Sequence, residues 1–153
     1  MNEAEWKNCI LGTDKIKRFL QMNFITDKTA NLESLADYGY MFVPDDCLAG
    51  QKCKLHVVFH GCEQGGVTDT YGNLFSKYTG YNEWAASNKI VVLYPQVQRS
   101  NAPVPLNGYG CYDVWGVWYT GEKYYLQEGK QISAVARMIN ALLGENVFPA
   151  SSD

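Results

Sequence analysis

An α/β layered fold is what this sequence predicts, and three observations predict it. Residues 52–59 (KCKLHVVF) alternate apolar and polar, residues 90–94 (IVVLY) are a nearly continuous apolar run, and residues 130–143 carry apolar residues at helical spacing. Strand, helix, strand, loop and helix in that order build layers around one sheet. With 153 residues and 46% hydrophobic composition, the chain has the size of one domain.

Taken in order, residues 3–10 and 14–23 read as short helices. Ile16, Phe19 and Leu20 fall at helical spacing behind Thr13 or Asp14 as a cap. Residues 24–38 read as irregular. A strand is predicted over 38–43, stopped by Pro44 and the Asp45-Asp46 turn. The next strand, 52–59, ends at His60-Gly61-Cys62, with Gly65-Gly66 soon after. Residues 74–87 read as one helix burying Phe75, Tyr78 and Trp84 on one side. The run 90–94, closed by Pro95, predicts a strand covered on both faces. Residues 96–128 form a long loop with Pro103, Pro105 and several glycines, and loops of that length in compact domains usually border a binding site. In the last helix Ile132, Val135, Met138, Ile139, Leu142 and Leu143 share a stripe, and Gly144 is placed to end it. Three strands make a narrow sheet whose edges need cover or a partner.

Composition narrows the function. A net charge of −3 and no basic stripe argue against nucleic acid. No stretch approaches the length of a membrane span. The 11 Tyr, 4 Trp and 6 Phe are unusual, and many fall within 109–125, as expected of a surface that grips an apolar or polymeric ligand. Five cysteines suit an oxidising, secretory or extracellular compartment, although the acidic N-terminus MNEAEWKNCI is no signal peptide. Cys47 and Cys53 flank a short turn that suits a local bridge. Cys111 is a candidate partner for Cys62, with Cys9 left over or exchanged into a bridge. In the chain-entropy model the short loop is worth about 2.4 kcal/mol and a loop of about fifty residues about 4 kcal/mol. With two histidines and no Cys-x-x-Cys pair, a metal site is a poor reading.

Two places carry possible chemistry. The His60-Gly61-Cys62 turn follows a strand, where α/β hydrolases present main-chain N–H groups to an oxyanion. A histidine that only hydrogen-bonds at a strand end is the commoner use of such a pair. The segment NGYGCYDVWG (107–116) is far less generic; its Asp113 sits among aromatics, as a charged ligand, a base or a structural acceptor.

Three stretches carry a resemblance. LADYGYMFVPDDCLAGQKCKLHVVFHGCEQ (35–64), GYNEWAASNKIVVLYPQ (80–96) and NGYGCYDVWG resemble, in the right order, segments of the poly(3-hydroxybutyrate) depolymerases, a family of serine esterases. The region they mark, 35–143, is 109 of the 153 residues. The resemblance implies a partial α/β-hydrolase-like layered fold, a small sheet flanked by helices, corresponding to the C-terminal half of a circularly permuted hydrolase. Residues 1–153 would form a single incomplete domain, with a helical segment over 1–34 and a depolymerase-like segment over 35–144.

It implies further that the Cys62 main-chain N–H is an oxyanion donor and that Cys62–Cys111 and Cys47–Cys53 are disulfides. Tyr112, Asp113 and Trp115 would border the crevice for a polyester or hydroxyacid oligomer. Neither metal nor cofactor is implied. Tyr112 and Val114 stand where the family motif has tryptophans, so the polymer grip differs. No Gly-x-Ser-x-Gly occurs, and neither His56 nor His60 holds the position of the family's base. The nucleophile is therefore expected from a missing N-terminal half or a partner chain. The alternative is a non-catalytic binding module for polyester, lipid or glycan, derived from a hydrolase.

Overall fold

The computed structural model describes residues 16–26, 33–65, 73–103, 106–113 and 123–144. Four strands form one sheet: β1 (Ile16–Leu20), β2 (Tyr38–Phe42), β3 (Lys54–Val57) and β4 (Ile90–Tyr94), in the order β1-β2-β4-β3. The β1/β2 and β2/β4 pairs are antiparallel and β3/β4 is parallel. A 3-10 helix (Gln21–Phe24) follows β1. The α-helices are α1 (Asp45–Leu48), α2 (Leu74–Tyr78), α3 (Tyr81–Asn88) and α4 (Lys130–Leu143).

The sheet lies between two apolar layers. Met41, Leu93, Leu55 and Val57 pack with Ala134 and Met138 of α4 on one face. Tyr40, Phe42, Val92 and Tyr94 pack with Ala85 of α3 and Phe75 of α2 on the other. The apolar run of β4 therefore has the meaning its sequence predicts, since successive side chains enter opposite layers. The last helix and its stop are also as expected, with Gly144 at φ +65° closing α4. Its stripe is rotated, however. Gln131, Ala134, Val135, Ala136 and Met138 are buried, while Ile132 and Leu143 remain 41% exposed.

Two expected helices change. The helix expected over 14–23 is instead a strand at Ile16–Leu20 running into the 3-10 turn. Helical spacing of three apolar residues is outweighed by pairing along the whole of β2, from Ile16 opposite Phe42 to Leu20 opposite Tyr38. Phe19 lies opposite Gly39, and a Cβ on Gly39 would sit 2.6 Å from the Phe19 ring and 2.7 Å from Gln21 Oε1, so the strands approach only because Gly39 has no side chain. The Arg18 guanidinium stacks over Tyr38 at 5.0 Å. The helix expected over 74–87 is broken at Gly80, whose φ of +85° starts α3 afresh. The inward face of α3 becomes Asn82 and Ala85. Trp84 and Tyr78, expected inside, are each 76% exposed. The helix expected over 3–10 lies outside the described residues.

Gln21, fully buried, joins the end of β1 to the segment after β4. Its Nε2 donates to the Ala36 and Gln96 carbonyls at 2.8 and 2.9 Å, and its Oε1 accepts from the Gln96 N–H at 2.8 Å. Replacing Gln21 with Met removes three buried hydrogen bonds, those to the Ala36 carbonyl and to the Gln96 carbonyl and N–H, although the Gln96 carbonyl keeps the Ala36 N–H at 2.9 Å. We predict a loss of about 2–4 kcal/mol, read as a lower urea midpoint with an unchanged slope.

Candidate functional site

Beyond β3, Val58 keeps to the sheet by donating its N–H to the Leu93 carbonyl at 2.9 Å, and the chain then turns at Phe59-His60-Gly61-Cys62. Phe59 points outward, 53% exposed, whereas His60 is buried. The imidazole lies against Tyr112 and Phe75, with ring centroids at 5.0 and 6.1 Å. The Val97 N–H donates to His60 Nε2 at 3.2 Å, which makes Nε2 an acceptor and leaves the proton on Nδ1. Nδ1–H in turn donates to the Gly61 carbonyl at 2.6 Å. Burial holds the imidazole below its ordinary pKa, which the bond to Gly61 only partly opposes. Gly65 permits this fit: a Cβ there would lie 2.6 Å from the Val97 carbonyl oxygen and 3.1 Å from the His60 ring.

The turn is tied from several sides. The Gly61 N–H donates to Gln64 Oε1 at 2.9 Å, and the Gln64 N–H returns to the Gly61 carbonyl at 3.2 Å. The Glu63 N–H donates to the Tyr109 carbonyl at 2.8 Å, and the Glu63 carboxylate pairs with Arg99. Glu63 has φ +63°, a left-handed conformation that a non-glycine residue adopts only when its surroundings hold it. A Cys62–Cys111 disulfide joins the turn to the 107–113 loop, and Cys47–Cys53 closes the loop around α1. Both bridges are those that the family resemblance implies. Cys9 lies outside the described residues.

Buried Asn107 organises the other side of the disulfide. Its Oδ1 accepts the Cys111 N–H at 2.9 Å, and its Nδ2 donates to the Cys111 carbonyl at 2.9 Å and to Ser34 Oγ at 3.1 Å. Ser34 Oγ donates onward to the Gln98 carbonyl at 2.9 Å.

Beside the turn is a cavity of about 1010 Å³, large enough for a drug-sized ligand. Phe59, His60 and Tyr112 form one wall, Ile132, Val135, Ala136 and Ile139 of α4 another, and Tyr124 and Tyr125 a third. Asp113 and Gln131 add polar groups. The Tyr112 ring meets Phe59 edge-on at 5.0 Å. Its hydroxyl is enclosed and donates to the Pro95 carbonyl at 2.6 Å, and burial pushes its pKa well above the ordinary phenol value. What Tyr112 offers the cavity is thus its ring; the hydroxyl secures the wall. Asp113 is held by its N–H, which donates to Gln131 Oε1 at 2.8 Å, while Gln131 Nε2 donates to the Glu33 carbonyl at 2.7 Å.

The structure joins Cys62 to Cys111 by a disulfide and sets Tyr112 and Asp113 on the cavity; Trp115 and Val114 lie outside the described residues. His56 does not join them. Its ring packs at 5.5 Å from Tyr81 of α3. Among the described residues no serine hydroxyl meets a histidine. Ser34, Ser76, Ser87 and Ser133 donate to main-chain carbonyls, and Ser100 Oγ accepts from the Ala102 N–H.

Sequence reading misses Gln64, Asn107 and Gln131. For Gln131 a signal exists, because it falls in register with Ala134, Val135 and Met138 and so places a polar group on the inward face of α4. For Gln64 and Asn107 nothing in spacing distinguishes them from ordinary turn residues.

The sequence and the fold have counterparts. A poly(3-hydroxybutyrate) depolymerase of Delftia acidovorans is 37% identical over 137 residues, 87% of this chain and 24% of that protein. A polyhydroxybutyrate depolymerase of Talaromyces funiculosus is 35% identical over 113 residues, 69% of this chain and 32% of that protein. Among solved structures, a serine-to-alanine variant of a PHB depolymerase complexed with an R3HB trimer superposes with TM-score 0.69 at 31% identity, covering 88% of this chain and 43% of that one. The chain is a homologue of the poly(3-hydroxybutyrate) depolymerase family. The crystal structure of PHB depolymerase from Penicillium funiculosum agrees, with TM-score 0.67 at 30% identity over 85% of this chain and 41% of that one. The four-stranded mixed sheet and its helices share the α/β-hydrolase-like fold of these depolymerases. This chain spans less than half the length of every depolymerase named here. No protein-family model matches it.

Two measurements check the bracing of the turn. Since His60 is held neutral, the unfolded chain binds its proton first as pH falls below about 6.5, so the His60 contribution is intact above that pH and declines below it. Denaturation at pH 7 and pH 5 should show a smaller loss of stability for His60→Gln than for the unaltered chain. Replacing both Cys62 and Cys111 with Ser should remove up to about 4 kcal/mol, read as a lower denaturation midpoint.

Proposed function

We propose that this chain is the part of a polyester depolymerase that supplies an oxyanion donor and the rim of the substrate site, the nucleophile coming from outside it. One observation carries the reading. Of the four main-chain N–H groups in residues 61–64, those of Gly61, Glu63 and Gln64 are engaged within the turn and its neighbours. That of exposed Cys62 donates to no acceptor among the described residues. A donor left open on a turn braced by a disulfide, a salt bridge and a buried imidazole is what stabilising an oxyanion demands, because the bracing removes the reorganisation cost during reaction.

The sheet edge supports an external nucleophile. The Lys54 and Val58 N–H groups reach β4 through the Lys89 and Leu93 carbonyls at 3.0 and 2.9 Å. In a parallel ladder the alternate residues, Leu55 and Val57, then direct their main-chain groups away from β4. A strand joining that edge in parallel would end on the same side of the sheet as the Cys62 turn, where a strand-to-helix serine elbow belongs. The acyl chain would lie against Phe59, Tyr112 and the apolar face of α4, which suits an aliphatic hydroxyacid ester. The bound trimer named for the solved relative is chemistry of that kind. Two disulfides support an oxidising, extracellular or secretory setting for this work.

A second reading, a binding module without turnover, is favoured by the cavity standing in a chain whose described serines are all committed to other contacts. Fluorophosphonate labelling of the purified chain, read by intact mass, separates the possibilities when run beside a hydroxybutyrate ester assay and trimer binding. We expect no labelled serine and no turnover by the chain alone. Turnover with one labelled serine would sink the proposal. Trimer binding without turnover, persisting when a nucleophile-bearing depolymerase segment is added, would favour the binding module.

A further inference from the structure

The His60 imidazole is buried and braced. Its bond to Gly61 does more, because the Gly61 carbonyl and the Cys62 N–H belong to one planar trans peptide unit in which they point in opposite directions. Whatever fixes that carbonyl fixes the aim of that N–H. Two donors converge on the Gly61 oxygen, His60 Nδ1 at 2.6 Å and the Gln64 main-chain N–H at 3.2 Å. The shorter comes from a ring that cannot swing, since Val97 holds its far nitrogen at 3.2 Å and Tyr112 and Phe75 flank it. A carbonyl that accepts hydrogen bonds also makes the N–H of its own amide a better donor.

We propose that His60 is a positioning residue that acts through the Gly61–Cys62 peptide, aiming and polarising the Cys62 N–H. Its role needs the Nδ1–H tautomer and no proton transfer to substrate. The catalytic meaning of this aim rests on the reading of Cys62 as an oxyanion donor; the mechanical claim does not.

Two substitutions separate the halves of the ring. His60→Asn keeps a donor near the Nδ1 position but cannot reach Val97. His60→Gln keeps an acceptor near the Nε2 position but cannot donate to Gly61. Backbone ¹⁵N relaxation on the purified chain reads the result, with the β4 amides as a control for folding. In His60→Asn the Cys62 N–H should keep an order parameter near about 0.85, while Val97 amide exchange rises at least about tenfold. In His60→Gln the Val97 amide should stay protected while the Cys62 order parameter falls below about 0.6. A rigid Cys62 amide in His60→Gln, or equal loosening in both variants, would overturn the proposal.

Joined to the nucleophile-bearing part proposed above, His60→Gln should lower kcat about 10²-fold with KM nearly unchanged, and His60→Asn should recover most of that loss. If the unaltered assembly shows no turnover while the relaxation results hold, the depolymerase reading fails and the positioning role stands.

Discussion

Residues 95–97 leave the sheet after β4 and remain buried although they belong to no helix or strand; each is no more than 2% exposed. Buried irregular backbone must find partners for every N–H and C=O, and here the partners are brought in from the rest of the chain. The Tyr112 hydroxyl donates to the Pro95 carbonyl. Gln21 accepts from the Gln96 N–H and donates to its carbonyl. Val97 donates to His60 and bridges Leu35, and Gln98 bonds Ser34 through both its N–H and its carbonyl. The 59–62 turn, the cavity wall, the end of β1 and the approach to β2 are thus fixed to one short stretch. A shift of these residues would move all four together.

That dependence explains why the site is rigid although loops build it. A loop on a protein surface usually has its polar groups solvated and its conformation variable. Here the 107–113 loop is held by a buried asparagine with both ends of its amide engaged, by a disulfide and by Gln131 at the start of α4. Rigidity of this sort is useful to an oxyanion site, where the donor must already point at the position that the charge will occupy. It is equally useful to a wall of aromatic rings, whose contact with an aliphatic chain costs less when the rings are already ordered.

What was legible in the sequence followed from strong local patterns. β4 and α4 announce themselves by an unbroken apolar run and by a long helical stripe, and the Cys111 motif points to the cavity rim. β1 did not, because five residues containing Ile16, Phe19 and Leu20 satisfy a helical period as well as an extended one, and the decision lies with β2, twenty residues away. Trp84 was misplaced for a related reason. Helical phase is lost at Gly80, and the polar Asn82 takes the inward position by bonding the Ser76 carbonyl at 2.7 Å and accepting from the Tyr94 hydroxyl at 2.7 Å. The polar residues of the site were the least legible. Gln131 meets main-chain groups 18 and 98 residues away, whereas Gln64 and Asn107 meet groups three and four residues away inside turns, and no spacing rule encodes which main-chain group a side chain will meet.

The same arrangement bears on how the turn proposed as an oxyanion site keeps its shape. Catalytic serine chemistry on this fold needs two kinds of precision, one at the strand-to-helix elbow and one at the oxyanion turn. Under the proposed function, the second kind is assembled almost wholly from local and main-chain means: a trans peptide, a histidine tautomer set by Val97, a disulfide and a glycine at 65 that lets the ring settle. None of those parts uses the outer edge of β3, so the turn does not need a neighbouring strand to take its shape. Loss or separation of the elbow would remove the reaction while leaving the donor aimed. The oxyanion turn of such a fold can therefore be more durable than its triad, and the apolar cavity beside it can keep a ligand-binding use after turnover has gone elsewhere.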